Sequence, residues 1–155
     1  MKKDIKLLVM DVDGTLTNGK IYIGPLGEIF KAFDCKDGYA IAHMLPENGI
    51  VPVIITGRTS DIVSARCQEL HITEVHQGVI DKLPVLEAVV EKYGCTLDNV
   101  AYVGDDLPDL PCMQVCGLRG CPADAVKKVK EVCDYVAASG AGAGAVREFI
   151  AWILE

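Results

Sequence analysis

The chain has 155 residues, with 15 Lys and Arg against 22 Asp and Glu for a formal charge of −7, and half its residues are hydrophobic. Such a length hides roughly 70% of the unfolded surface, enough for one core and too little for two ordinary domains, so residues 1–155 are expected to form a single domain. Although mean hydropathy is +0.27, no apolar run approaches the roughly 20 residues of a membrane-spanning helix, and the acidic balance argues against a nucleic-acid-binding surface.

Met1-Lys2-Lys3 precedes an apolar stretch that Lys6 interrupts and Asp11 ends, too short for an export signal. The first strand is predicted over 5–10. Next, Lys20-Ile-Tyr-Ile, Gly24-Pro-Leu-Gly27 and Glu28-Ile-Phe-Lys-Ala-Phe33 predict a β-hairpin over about 20–33. Both of its arms carry apolar side chains on both faces. A lone ribbon cannot bury two faces, so a neighbouring subunit is the expected cover. Helices follow near 37–48, 59–70, 80–93, 107–114, 123–131 and 144–153. Strands are predicted at 51–55 and 100–103, with short ones at 74–76, 116–118 and 135–136. The alternation predicts an α/β fold, a Rossmann-like doubly wound parallel sheet.

Seven cysteines, at 35, 67, 95, 112, 116, 121 and 133, are an odd number without an export signal. They predict reduced, mostly buried thiols and a cytoplasmic protein. Cys112, Cys116 and Cys121 lack a zinc-knuckle spacing and have no His nearby. The Gly140-x-Gly142-x-x-Ala145 echo of a dinucleotide fingerprint lacks the second βαβ half such a site needs.

The chemistry gathers at strand ends. The three long strands end in Asp11-Val-Asp13-Gly14-Thr15, Thr56-Gly57-Arg58 and Gly104-Asp105-Asp106, at the sheet edge where open parallel sheets bind ligands. If strand geometry persisted past Met10, the Asp11 and Asp13 carboxylates would point to one side. Four acids at one edge repel without a cation, and hard carboxylate oxygens suit Mg²⁺. Lys82 and Thr56 offer a point charge and a hydroxyl to phosphate oxygens, and Gly14 and Gly57 let backbone N–H groups approach. The set predicts phosphoryl transfer through an aspartyl-phosphate.

On DVDGT at 11–15, IITG at 54–57, Lys82 and GDDLPD at 104–109, the chain resembles the haloacid dehalogenase superfamily of phosphatases. The resemblance implies Asp11 as nucleophile and Asp13 as general acid/base. Thr56, Gly57 and Lys82 would hold the phosphoryl group. Magnesium would sit on Asp11, the main-chain carbonyl of Asp13, and Asp105, with Asp106 and Asp109 supporting. The spans from Asp13 to Thr56 and from Thr56 to Lys82 leave no room for the cap domain most members carry.

The segments KAFDCKDGYA at 31–40, ITGRTSDIVSARC at 55–67, HQGVIDKL at 76–83, NVAYVGDDLPDLP at 99–111 and GAGAVREF at 142–149 resemble a capless group within that superfamily. Its substrate is 3-deoxy-D-manno-octulosonate 8-phosphate, a precursor in lipopolysaccharide synthesis. This likeness implies a homotetramer with shared active sites, and Arg58 and Arg66 near the sugar acid. Ala40 departs from the group's usual second glycine after Asp37-Gly38, and relatives often continue past the position of Glu155 into a tail. Two alternatives remain open: a phosphatase of a nine-carbon, sialic-acid-type 9-phosphate, and a phospho-accepting signalling module, whose acids follow a different order.

Overall fold

A computed structural model describes residues Met1–Glu155. Its frame is a six-stranded parallel sheet of β1 (Leu7–Met10), β4 (Val51–Ile55), β5 (Glu74–His76), β6 (Val100–Val103), β7 (Leu118–Cys121) and β8 (Tyr135–Val136), in the order β5-β4-β1-β6-β7-β8. Strands β2 (Tyr22–Gly24) and β3 (Gly27–Phe30) form a separate antiparallel ribbon. Strand β1 is central, and the chain first builds outward from it through β4 and β5. It then crosses back to lay β6 on the other side. That reversal opens the crevice where doubly wound sheets bind ligands.

Parallel strands buried on both faces read as continuous apolar runs, and every residue of Leu7-Leu-Val-Met10 and Val100-Ala-Tyr-Val103 is buried. Successive side chains alternate between faces. Leu8 and Met10 pack with Val146, Phe149, Ile150 and Ile153 of the C-terminal helix, while Leu7 and Val9 pack with Leu86 and Val89. The helices covering these faces are α1 (Cys35–Tyr39), α2 (Leu45–Glu47), α3 (Asp61–Glu69), α4 (Lys82–Lys92), α5 (Leu110–Met113), α6 (Lys127–Lys130) and α7 (Ala145–Leu154). No helix is long and apolar enough to cross a membrane.

Where the structure departs from the predicted elements, local contacts explain why. The helix expected at 37–48 begins at Cys35, because the Asp34 side chain caps it by accepting from the Lys36 and Asp37 N–H groups, and a π turn at Ala40–Met44 joins α1 to α2. The strand expected at 116–118 instead occupies Leu118–Cys121. Gly117 is pressed against the backbone of Asp98, where a Cβ would lie 2.1 Å from the carbonyl oxygen. The helix expected at 123–131 shrinks to α6, since Val126 N–H donates to the Asp105 carbonyl and Asp124 is engaged by the N–H of Ala141. Around 107–114, a 3₁₀ turn (Leu107–Asp109) precedes α5, capped by the Asp106 side chain.

The ribbon is the exposed part of the fold. Tyr22 stacks on Phe30 with ring centroids 4.2 Å apart. Ile23, Leu26, Ile29 and Phe30 nevertheless remain exposed, Leu26 fully.

Candidate active site

Past Met10 the chain does not stay extended. The N–H groups of Thr15, Leu16 and Thr17 all turn back to the Val12 carbonyl. The turn needs Gly14 for two reasons. Its φ is +88°, and a Cβ there would lie 2.1 Å from Asp105 Oδ2. Thr15 Oγ1 donates to the other oxygen, Asp105 Oδ1, at 3.1 Å. The loops after β1 and β6 thus close on each other through one carboxylate.

A cleft of about 310 Å³ opens at this edge, lined among others by Asp11, Asp13, Thr56, Gly57, Arg58, Lys82, Asp105, Asp106 and Asp109. Thr56 is buried, its N–H donating to the His76 carbonyl at 2.9 Å and its carbonyl accepting from Val79 at 3.0 Å. These bonds set the turn that presents Gly57 and Arg58. Lys82 opens α4 and is only 3% exposed. Its Nζ donates to Asp11 Oδ1 at 3.0 Å and to Asp109 Oδ1 at 2.8 Å. Burial lowers the affinity of Lys82 for its proton, but the charges of Asp11 and Asp109 outweigh this and hold it above the ordinary lysine value.

Asp109 is a strut. Its Oδ1 also accepts from the Tyr102 hydroxyl at 2.8 Å, and its Oδ2 accepts the N–H groups of Asp105 and Asp106 at 3.0 and 3.3 Å. Four donors fill the roughly four lone-pair sites a carboxylate has. One carboxylate oxygen from each of Asp11, Asp105 and Asp109 lies within 4.8 Å of the others. Burial, followed by the Asp11 and Asp109 charges, pushes Asp105 up to about 8. Burial and the Asp109 charge likewise raise Asp11, against the pull of Lys82. The oxygen-only cluster is thus short of positive charge. Its chemistry fits a hard divalent cation such as Mg²⁺.

Asp13 lines the same cleft, but its carboxylate has a different partner. It is salt-bridged to Lys31 of the hairpin, whose side chain is 1% exposed and whose Nζ also lies 2.9 Å from Glu28 Oε2. Burial works against the Lys31 charge, yet the bonds to Asp13 and Glu28 raise it above the ordinary lysine value. Arg58 is half-exposed, with Nη2 3.6 Å from Glu28 Oε2. Asp106 sits at the rim, accepting from the Leu107 N–H. Arg66 does not line the cleft of this chain. It lies over the Phe33 ring and pairs with Glu69 at 3.1 Å. Sequence reasoning did not single out Lys31, Glu28 or Tyr102, because no spacing rule links a hairpin lysine to an aspartate 18 positions earlier.

An acid-lined cleft at the carboxyl edge of a capless, doubly wound sheet defines a hydrolase of the haloacid dehalogenase type. The family of haloacid dehalogenase-like hydrolases matches residues 60–150. The 3-deoxy-D-manno-octulosonate 8-phosphate phosphatase KdsC of Escherichia coli is 45% identical over 146 residues, 94% of this chain and 77% of that protein. The crystal structure of the phosphatase of that name from Yersinia pestis matches with a TM-score of 0.94 and 40% identity, over 99% of this chain and 82% of that one. A second structure, from Moraxella catarrhalis, holds a magnesium ion, a phosphate ion and KDO; it matches with a TM-score of 0.94 and 40% identity over 99% and 87% of the two chains. The chain belongs to the haloacid dehalogenase-like hydrolases, in the family of the 3-deoxy-D-manno-octulosonate 8-phosphate phosphatases.

Proposed function

We propose that this chain is a magnesium-dependent phosphatase that hydrolyses 3-deoxy-D-manno-octulosonate 8-phosphate to the free sugar acid and phosphate. The single observation carrying this reading is the buried Lys82 bridging Asp11 to Asp109 inside the carboxylate cluster. Residues 1–155 act as one phosphatase domain, with the hairpin at about 20–33 as its flap.

Asp11 is the nucleophile. One of its carboxylate oxygens bonds to phosphorus as the bond from phosphorus to the sugar oxygen breaks, and Asp13 gives that leaving oxygen a proton. Asp13 then takes a proton from the water that attacks the aspartyl-phosphate, releasing phosphate and restoring Asp11. Such acid–base help is worth about 10²–10⁴-fold. Lys82 orients the attacked carboxylate and meets phosphoryl oxygens, together with the Thr56 hydroxyl and the Gly57 N–H. Magnesium would be held by Asp11, Asp105 and the Asp13 carbonyl, where it would supply the positive charge that offsets the acids and the phosphoryl oxygens. Asp109, with its oxygens already taken, and Asp106 support this set from behind and from the rim.

Arg58 faces the sugar-acid carboxylate, a planar partner suited to a guanidinium. Arg66, which does not line the cleft of its own chain, would reach substrate only through the assembly. Four copies assembling over the exposed Ile23, Leu26, Ile29 and Phe30 would cover an apolar ribbon that a monomer leaves in water. Seven free cysteines, four of them buried, suit a cytoplasmic location.

The test is phosphate release from 3-deoxy-D-manno-octulosonate 8-phosphate and from a nine-carbon 9-phosphate, compared by kcat/KM with Mg²⁺. Asp11→Asn is expected to abolish turnover while the circular dichroism spectrum stays unchanged. Retained turnover excludes Asp11 as nucleophile. A higher kcat/KM for the nine-carbon acid transfers the substrate assignment to it.

A further inference from the structure

We propose that Lys31 is the positioning residue for Asp13, and that through it the β2–β3 hairpin sets the orientation of the general acid/base. The inference rests on the assignment of Asp13 to that role. It adds a residue and an element that the motif loops do not contain.

Three observations carry it. First, Asp13 Oδ1 is bonded to Lys31 Nζ, and the carboxylate is 19% exposed, open to the cleft on one side. Second, Lys31 is sealed from solvent at 1% side-chain exposure and does not line the cleft, so it reaches the chemistry through Asp13 and not through substrate. Third, Lys31 is itself held. Glu28 Oε2 lies 2.9 Å from Nζ, and Glu28 Oε1 accepts from Ser60 Oγ at 2.7 Å. Ser60 caps α3 two residues after Arg58 of the Thr56-Gly57-Arg58 turn, accepting from the Ile62 N–H. The polar chain Asp13–Lys31–Glu28–Ser60 therefore joins the loop after β1, the hairpin and the start of α3.

A carboxylate without such a partner samples several rotamers. Misplacing an acid by about 1 Å can cost about 10²-fold in rate. An ammonium locked between two acids removes that freedom, and it does so only while the hairpin lies where Glu28 can reach Ser60. The apolar outer side of the same hairpin is the surface proposed to meet a neighbouring subunit. Assembly and acid–base geometry thus act on one element.

The experiment uses the full chain with saturating Mg²⁺ and compares kcat/KM for 3-deoxy-D-manno-octulosonate 8-phosphate with that for p-nitrophenyl phosphate. The sugar alkoxide needs a proton to leave; p-nitrophenolate does not. Lys31→Met is expected to lower kcat/KM about 10²-fold for the sugar phosphate, with a loss at least about tenfold smaller for p-nitrophenyl phosphate, and Lys31→Arg to recover most of the difference. Equal losses on both substrates, or no loss on either, overturn the assignment of Lys31. Asp13→Asn, measured alongside, keeps the two readings apart. If it turns over the sugar phosphate like wild type, the acid/base role of Asp13 falls and the proposal with it. If it is slow while Lys31→Met is not, only Lys31 is excluded. Should Lys31→Met fail to fold by circular dichroism, Glu28→Gln, which loosens the same lysine, must show the same substrate-selective loss; without it the proposal fails.

Discussion

Asp37 is a buried acid with one carboxylate oxygen left unpartnered. It is 2% exposed, its Oδ1 accepts the Arg147 N–H at 2.8 Å, and its Oδ2 is buried with no hydrogen-bond partner. Burial, with the Asp34 charge adding to it, pushes the carboxyl from 3.8 up to about 6, against the Arg147 and Gly144 N–H groups and the Lys36 charge. An acid raised on folding binds more protons folded than unfolded between those two values. Its contribution to stability therefore falls as pH rises through that window and is level above it. At about 1.4 kcal/mol per unit, the shift from 3.8 to about 6 costs about 3 kcal/mol near neutrality. Asp37→Asn removes the charge and keeps an oxygen for the Arg147 N–H. A first-turn acid also gains up to about 1 kcal/mol from the α1 dipole, which the substitution forfeits. The expected net gain at pH 7.5 is about 2 kcal/mol, or roughly 4–8 °C in Tm for a chain of this size, vanishing near pH 4. Urea unfolding of both proteins from pH 4 to 8 with excess Mg²⁺ measures the difference, which cancels carboxylates common to the pair. A variant less stable than wild type at pH 7.5 would refute the reasoning, because it would mean the ionised Oδ2 has a favourable partner.

The other predictions concern the site and the ribbon. Mg²⁺ at 100 times its dissociation constant is expected to stabilise the fold by about 2.7 kcal/mol, and EDTA to reverse this and stop hydrolysis; differential scanning fluorimetry with and without chelator reads it. Gly14→Ala places a Cβ against Asp105 at a φ of +88°. It is expected to cost about 1–3 kcal/mol in urea unfolding and to weaken Mg²⁺ binding by calorimetry, whereas wild-type Mg²⁺ affinity would show that the loop has room to spare. Leu26→Asp, at the fully exposed hairpin tip, is expected to reduce the mass measured by light scattering toward 16.7 kDa; an unchanged assembly moves the interface elsewhere.

The sheet and the acids of the cleft were legible because they follow from local pattern. Leu7-Leu-Val-Met10 and Val100-Ala-Tyr-Val103 are apolar runs that end abruptly in acids, and parallel strands buried on both faces require that form. Lys82 was legible as a charge at a helix start. What escaped depends on contacts between distant segments. Nothing near Gly117 tells that Asp98 crowds it and delays β7, nor does anything near Val126 tell that its N–H is drawn to Asp105. The expected common direction of Asp11 and Asp13 required an extended backbone, which the turn at Val12–Thr15 denies. Asp13 turned out to have a lysine partner that only the folded hairpin supplies.

The charge balance of the cleft explains how a chain of −7 can take up an anion. Among its lining residues, Asp11, Asp13, Asp105, Asp106 and Asp109 oppose only Arg58 and Lys82, a formal excess of three negative charges when all are ionised. A phosphate dianion would meet that field unfavourably; burial first, and then the same repulsion between neighbouring acids, raises Asp105 and Asp11. A divalent cation cancels two of the three charges, whereas Lys31 behind Asp13 is shared with Glu28, so that pair adds no net charge. The metal is therefore the main positive charge that the cleft lacks. On this balance, phosphate affinity measured by calorimetry rises steeply when Mg²⁺ is added, and removing Mg²⁺ weakens it. Phosphate bound equally well with and without Mg²⁺ would show that the cleft attracts anions by some other means.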